Sequence, residues 1–392
     1  MNRTTTGVSY LPKSKIGGEM GKQLVIVGAG HAHLTILKNL QEFKNAGHDV
    51  TVVSSSSLHY YSGMGPGMLS GIYRPEEIRF NVKKMSQNRG AVFIEDKVVK
   101  IHPQTKKIDL QSGQTLPYDV MSVNTGSFVP VEAHDPSDVL VIPVKPIENL
   151  LTARHKIIAA LKDKELRITV VGGGPTGVEV AGNLDRLVRN ESGKCRITLV
   201  AGTRLLRKFK TGIRNRVMKA LVRRQVRVVE GTRVSGINDQ TVALTDGSDI
   251  ESDIVFMAVG IRPSPLFKDS GLTIGQDGGM LVNQYLQSVS YPEIFGGGDC
   301  ICFEPQPLSK VGVYAVRQNP ILLNNLRCFL KGAALEQFLP QKAILLAFNL
   351  GDGSAVVQWH SLVWGGRLGF MLKNYIDRTF MKNFQVSGEL DG

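Results

Sequence analysis

The sequence predicts an α/β chain in which one strand, turn and helix design is used twice, followed by a small C-terminal α+β segment. Three observations predict it. Residues 24–34, LVIVGAGHAHL, run from a buried apolar strand through Gly28 and Gly30 into helix-compatible sequence. Residues 167–184, RITVVGGGPTGVEVAGNL, repeat that order with Gly172, Gly174 and Gly177. A buried strand closed by small residues, YDVMSVNTGS at 118–127, also has a second copy, IVFMAVGIRP at 254–263. Together they describe two Rossmann-like (three-layer ββα) dinucleotide-binding domains.

The chemistry follows from the turn. A strand that ends in glycine and feeds a helix aims free backbone N–H groups and a positive dipole end at one point, which suits a pyrophosphate. In the first copy Gly28 permits the tight turn, Gly30 lets backbone approach phosphate, and His31 follows at the ligand. His33 stands where the third glycine of G-x-G-x-x-G belongs, so the helix must sit differently on its strand. The second copy is complete, with Thr176 in its turn. Two such folds in one chain are the arrangement of two-nucleotide flavoproteins, one fold holding FAD and the other delivering a nicotinamide.

Composition bounds the alternatives. The chain of 392 residues, 42% hydrophobic and 21% charged, is long enough for two or three cores. A net charge of +13 favours acidic partners such as phosphorylated cofactors or anionic lipid, and no nucleic-acid module accompanies it. Cys195, Cys300, Cys302 and Cys328 form no disulfide framework, which points to a reducing, cytoplasmic setting. Residues 1–21 read as a disordered extension, and the longest apolar runs, such as 343–348, fall far short of the ~20 residues a spanning helix needs.

Taken in order, the strand 50–53 ends in serines 54–57 where an acid often meets ribose, so Ser54 is the expected hydroxyl partner. The loop 58–82 is rich in Gly, Tyr and Met; His59, Tyr60, Tyr61 and Pro66 are candidates to face a flavin ring, against an equal case for plain packing. Residues 90–116 read as a strand meander with turns at 105–107 and 112–114. Thr125 and Gly126 place a compact turn beside the first nucleotide, and 143–146 reads as the crossover to a helix at 147–162. In the second copy Glu179 is within reach of a carboxamide, with an ordinary exposed helix acid as the bland alternative. The next strand, 196–200, ends in Ala201 and Gly202 where an NAD-specific fold often has Asp or Glu, and Arg204 and Arg207 follow where a 2′-phosphate would lie. That leaves NADPH or NADH as the second cofactor. Gly260 lies in the second small turn, and the GGGD run at 296–299 presents Asp299 to a ribityl hydroxyl. The expected domains are 22–146 with 266–335 for FAD, 147–265 for NAD(P)H, and 336–392 at the C-terminus.

The ordered set GAGHAH at 28–33, NTGS at 124–127, GGGPTG at 172–177, AVGIRP at 258–263 and GDC at 298–300 resembles the FAD-dependent pyridine nucleotide-disulfide oxidoreductase superfamily over about 23–385. PEEI at 75–78 and KVGVYAVRQ at 310–318 are similar to type II NADH dehydrogenases and sulfide:quinone oxidoreductases. YSGM with GPGMLSG, GVYAVRQNP, NLGDGSAV and LKNYIDRTFMKNFQ resemble most closely the flavoprotein module sometimes fused ahead of selenide, water dikinase. The resemblance implies that Gly28, Gly30, Thr125, Gly126 and Asp299 bind FAD, while Gly172, Gly174, Gly177 and Glu179 bind the nicotinamide nucleotide.

The leading expectation is therefore an FAD-dependent NAD(P)H dehydrogenase that passes a hydride to flavin and electrons to a small acceptor, quinone being one candidate. Lys310 is the expected catalytic residue, stabilising negative charge on reduced flavin. The alternatives are sulfide or thiol oxidation by quinone, which needs two cysteines at the flavin, and a non-catalytic redox partner of a selenophosphate-forming enzyme. No metal is expected. In 367–385 an apolar stripe of Leu368, Met371, Leu372, Tyr375, Ile376, Phe380 and Phe384 recurs at helical spacing. Packing on the protein's own body or on a second copy as a homodimer is favoured for it, with Trp359 and Trp364 as anchors. Peripheral membrane contact is the minority reading.

Overall fold

The computed structural model describes residues 21–130, 139–341 and 344–390. The expected extension at 1–21 therefore lies, but for Gly21, outside the described residues, as does the first residue of the apolar run 343–348.

Two five-stranded parallel sheets carry the chain. The first orders Ile294–Gly296, Val120–Val123, Gln23–Val27, Asp49–Ser54 and Val92–Glu95. The second orders Leu140–Pro143, Ile254–Met257, Leu166–Val171, Cys195–Val200 and Arg227–Val229. In each, the strand before the glycine turn is central, and all its residues but Gln23 and Arg167 are buried because helices and loops cover both faces. The copies match in register. Val27 pairs with Val53 and Val123, and Val171 pairs with Val200 and Met257. Gly28 N–H donates to Val53 O at 2.7 Å and Gly172 N–H to Val200 O at 2.9 Å, so both turns leave their sheets at one level.

Two expectations are corrected here. Val92–Glu95, read as part of a meander, pairs in parallel with Asp49–Ser54; only Val98–His102, Lys107–Leu110 and Thr115–Pro117 form the antiparallel meander. Leu140–Pro143 pairs with Ile254–Met257, so the second sheet begins before the boundary expected at 146. A short apolar strand carries no mark of which sheet it will join.

The C-terminal segment is an antiparallel sheet of Leu346–Asn349, Ala355–Trp359 and Leu362–Gly366, followed by the helix Arg367–Phe384. It is seated on the second fold's helix Pro175–Asn190, where a Cβ on Gly182 would lie 2.4 Å from Leu350 O. The backbones pack so closely there that only glycine fits.

Candidate functional site

The first glycine turn is enclosed. Gly28 adopts φ +79°, and a Cβ on it would lie 2.4 Å from Asn124 O. A Cβ on Gly30 would lie 2.6 Å from Asn124 Oδ1, and one on Gly298 2.8 Å from the same atom. Asn124 is thus the point where the first turn, the NTGS turn and the GGGD turn meet. Among the described residues its Nδ2 is buried without a partner, as are His31 Nε2 and Asn319 Nδ2 on neighbouring elements. Buried donors left open cost about 1–3 kcal/mol each unless a ligand satisfies them.

His33 fills the place of the missing glycine by bonding. Its Nδ1 lies 2.6 Å from Gly28 O and its Nε2 2.8 Å from Ser122 Oγ. Burial, against the Gly28 bond that favours the charged form, lowers its pKa to about 4. The chain then makes a 3-10 turn, His31–His33, and two short helices broken at Asn39.

Asp299 is held from two sides: Lys145 Nζ donates to Oδ2 at 2.7 Å and Ser127 Oγ at 2.8 Å. Lys145 is the residue that sequence reasoning missed; it sits just before a cis peptide bond to Pro146, in the stretch read only as a crossover. Lys310 corrects an expectation. It shares a pocket with Asp299 and Gln318, but its ammonium pairs with Asp277 at 2.7 Å and donates to Ile301 O, so its charge is already matched. Ser54 and Thr125 stand at the ends of the strands flanking the turn; Gly126 adopts φ +69° with open space on its Cβ side.

The loop 58–82 supplies two of its four candidates. His59 Nε2 lies 3.2 Å from His31 Nδ1, and Tyr61 packs on His31 with ring centroids 5.3 Å apart. Tyr60 and Pro66 are buried instead. Burial, then Lys145, lowers the His31 pKa to about 4; burial, then His31 and Lys145, holds His59 well below its usual value. Both rings are neutral at physiological pH.

The helix Arg367–Phe384 turns most of its apolar stripe away from the protein's own body, against that half of the favoured packing, and the other half, a second copy, stays open. Its buried face contains Gly369, Lys373, Asp377 and Met381. Leu368, Met371 and Tyr375 of the apolar stripe are 74%, 63% and 71% exposed; of the two expected anchors Trp359 is 51% exposed and Trp364 is half-buried. Phe380 and Phe384 alone of the stripe pack inward, on Tyr61 and Phe80. The inversion has a polar cause. Lys373 Nζ bonds Asp377 Oδ2 at 2.7 Å and Gly63 O at 2.7 Å, and Tyr61 Oη donates to Asp377 Oδ1 at 3.1 Å. Burial pulls the Lys373 pKa down, but Asp377 and Glu179 outweigh it and the ammonium is held above its usual value. A buried pair so satisfied is stable in place, whereas removing one partner costs about 3–5 kcal/mol.

Glu179 joins this cluster. Its Oε1 accepts from Asn349 N–H at 2.8 Å, and burial, offset in part by Lys373, pushes its pKa up to about 7. The ordinary exposed acid is thereby ruled out. The second glycine turn is close-packed against its sheet and open at its helix cap. A Cβ on Gly172 would lie 2.3 Å from Ala258 O, one on Gly173 2.6 Å from Ala201 O and one on Gly177 1.9 Å from Gly172 O, whereas Gly174, which caps the helix, and Gly260 have open space at their Cβ positions, and Thr176 is exposed.

A duplicated parallel fold with one enclosed glycine turn and one open at its helix cap is the arrangement of a protein that binds two nucleotides. The chain belongs to the pyridine nucleotide-disulphide oxidoreductase family, whose pattern matches residues 22–319. It is 26% identical to a type II NADH:quinone oxidoreductase of Staphylococcus saprophyticus, over 92% of this chain and 96% of that protein. In fold it is similar to the sulfide:quinone oxidoreductase of Aquifex aeolicus, with a TM-score of 0.76 at 15% identity over 93% and 92% of the two chains. It is equally similar to NDH2 of Plasmodium falciparum in complex with NADH, with a TM-score of 0.76 at 15% identity over 94% and 98%. The chain is accordingly an FAD-dependent, NADH dehydrogenase-like oxidoreductase with FAD and NAD(P)H as cofactors. The enclosed turn fits FAD: the unpartnered amide donor of Asn124 and the space kept by Gly30 and Gly298 are what a fixed pyrophosphate needs.

Proposed function

We propose that the chain is an NAD(P)H:quinone oxidoreductase that works at a membrane surface, peripheral on its cytoplasmic face. The exposed apolar face of Arg367–Phe384, lying over the buried cluster of Tyr61, Asp377, Lys373 and Glu179, carries this reading. Exposed Leu368, Met371, Tyr375 and Ile376 beside Arg367, Arg378 and Lys382 have the make-up of an interfacial helix. The similarity to the staphylococcal quinone reductase supports it independently.

FAD, when bound, would supply the chemistry of hydride acceptance and electron transfer. The protein's share is placement and protons. Gly28, Gly30, His31, Ser54, Thr125 and Gly126 line the FAD side, and Asp299, steadied by Lys145, offers its carboxylate to the ribityl chain. Gly172, Gly174, Thr176, Gly177 and Gly260 line the nicotinamide side, with Arg204 at its adenosine end. Glu179, with a pKa near 7, holds a proton close to neutrality, where a general acid is most effective. The neutral His31 and His59 pair walls the site with Phe380 and keeps a second cation away from Lys145.

The narrower resemblance, to the module fused ahead of selenide, water dikinase, rests on motifs gathered round this same cluster, and it concerns the partner rather than the chemistry. A thiol or sulfide relay is disfavoured, because burial raises the thiol pKa of both Cys300 and Cys302 and so suppresses the thiolate such a relay needs.

Anaerobic mixing with NADH or NADPH should bleach the flavin, and a water-soluble quinone should restore its absorbance. Flavin that neither nucleotide bleaches would sink the dehydrogenase reading, and bleached flavin that quinone leaves unchanged would sink quinone as acceptor. The full chain should float with anionic liposomes, and L368S/M371S/Y375S should stay behind with its flavin bound. A chain that ignores liposomes but sediments as a dimer assigns the apolar face to a second copy.

A further inference from the structure

We propose that the second fold selects NADPH over NADH, through the small residue at Ala201 and the cations Arg204 and Arg233. The inference rests on the reading that the second glycine turn holds the nicotinamide nucleotide.

Position 201 is where selection must occur. Cys195–Val200 is the strand beside the central one, and Ala201 directly follows its end. A Cβ on Gly173 would lie 2.7 Å from the Ala201 Cβ, so the residue at 201 abuts the phosphate turn itself. Leu206 N–H donates to Gly173 O at 2.7 Å and ties the loop 202–206 to the same turn. An acid at 201 would bond the ribose hydroxyls of NADH and repel a 2′-phosphate. Alanine does neither.

The neighbouring strand does not supply the acid instead. Ala201 N–H donates to Val229 O at 2.8 Å, which brings Glu230 alongside. Glu230, however, is spent: Oε1 accepts from Leu205 N–H at 2.6 Å and Oε2 pairs with Arg214 at 2.7 Å. Cations are available. Arg204 is exposed in this loop, and Arg233 Cγ is 3.9 Å from where a Cβ on Gly202 would stand. Neither arginine is in an ion pair among the described residues, whereas Arg214, Arg223 and Arg224 all are. Two unpaired guanidinium groups with an exposed Thr203 hydroxyl between Gly202 and Arg204 are the donors a phosphate monoester needs.

The test is calorimetric titration of the flavin-loaded full chain with ADP-ribose and with 2′-phospho-ADP-ribose at low salt, which reads binding without turnover. The phosphorylated compound should bind at least tenfold tighter, about 1.4 kcal/mol, with the difference shrinking as salt rises. Arg204→Leu and Arg233→Leu are surface changes; each should weaken the phosphorylated compound severalfold and ADP-ribose by clearly less, so that the ratio of the two affinities falls. Ala201→Asp should invert the preference. Equal affinities, or tighter binding of ADP-ribose, would overturn the proposal while leaving the second turn as a nucleotide site. Failure of both compounds to bind would remove the nucleotide site, and the proposal with it.

Discussion

The two glycine turns sit on strands of matching register yet solve the junction of helix and strand differently. In the second, Gly177 lets the helix Pro175–Asn190 lie against the turn, and the helix runs sixteen residues without a break. In the first, His33 reaches the same carbonyl position through its imidazole, and the helix starts as a 3-10 turn and breaks at Asn39. The third glycine of the motif is therefore one of two ways to join the elements: absence of a side chain, or a side chain that bonds. A second difference accompanies the first. The turn carrying His33 is roofed by Asn124 and lined with open donors, as suits a resident group, whereas Gly174 and Gly260 face open space, as suits a nucleotide that must leave each cycle.

The largest effect should come from breaking the bonded junction. His33→Ala removes two hydrogen bonds and leaves a buried cavity, with an expected loss of roughly 2–4 kcal/mol in urea unfolding. His33→Gly, which restores the motif on paper, should do no better; full stability in the glycine variant would show that the histidine bond is dispensable. Gly177→Ala tests the other junction. Its Cβ would meet backbone, so a cost of about 1–3 kcal/mol is expected, with flavin content unchanged. Loss of flavin in that variant would mean that the two turns are not independent.

The neutral histidines set the two turns apart in acid. The folded pKa values of His31 and His33, about 4, lie below the usual 6.5, so the unfolded chain binds protons that the fold refuses. Stability should be complete above pH 6.5 and fall as pH drops toward 4, by up to about 1.4 kcal/mol per pH unit for each linked proton. His31→Phe should flatten that slope in a pH series of urea melts. Glu179 titrates in the opposite sense, because its raised pKa of about 7 weakens the fold as pH rises from 4.5 toward 7. Glu179→Gln should remove that second trend and leave the acid limb in place.

The smallest effect is the sharpest discriminator. Gly174→Ser adds a side chain at a cap position with open space and should change stability by less than about 0.5 kcal/mol. It should nevertheless weaken nicotinamide nucleotide binding, because the new side chain intrudes where phosphate approaches. Gly30→Ser at the matching position of the first turn meets Asn124 and should cost both stability and flavin, read as the absorbance ratio of the purified protein.

By itself the sequence determined the duplicated architecture, since apolar strands, glycine turns and their repeats are local patterns that one stretch of chain specifies without reference to another. It also marked Gly28, Gly30, Gly172, Gly174 and Asp299 as candidates and showed alanine, not an acid, at position 201. Tertiary structure alone decided the rest. Lys145 meets Asp299 across 154 positions, and Lys310 is claimed by Asp277. Tyr61 meets Asp377 across 316 positions, which turns a charged face inward and leaves an apolar one exposed on the chain. Helical periodicity ranks faces by hydropathy, and it fails where two buried charges satisfy each other and a distant tyrosine and carbonyl complete the set, because that partnership is a property of chain segments brought together only by folding.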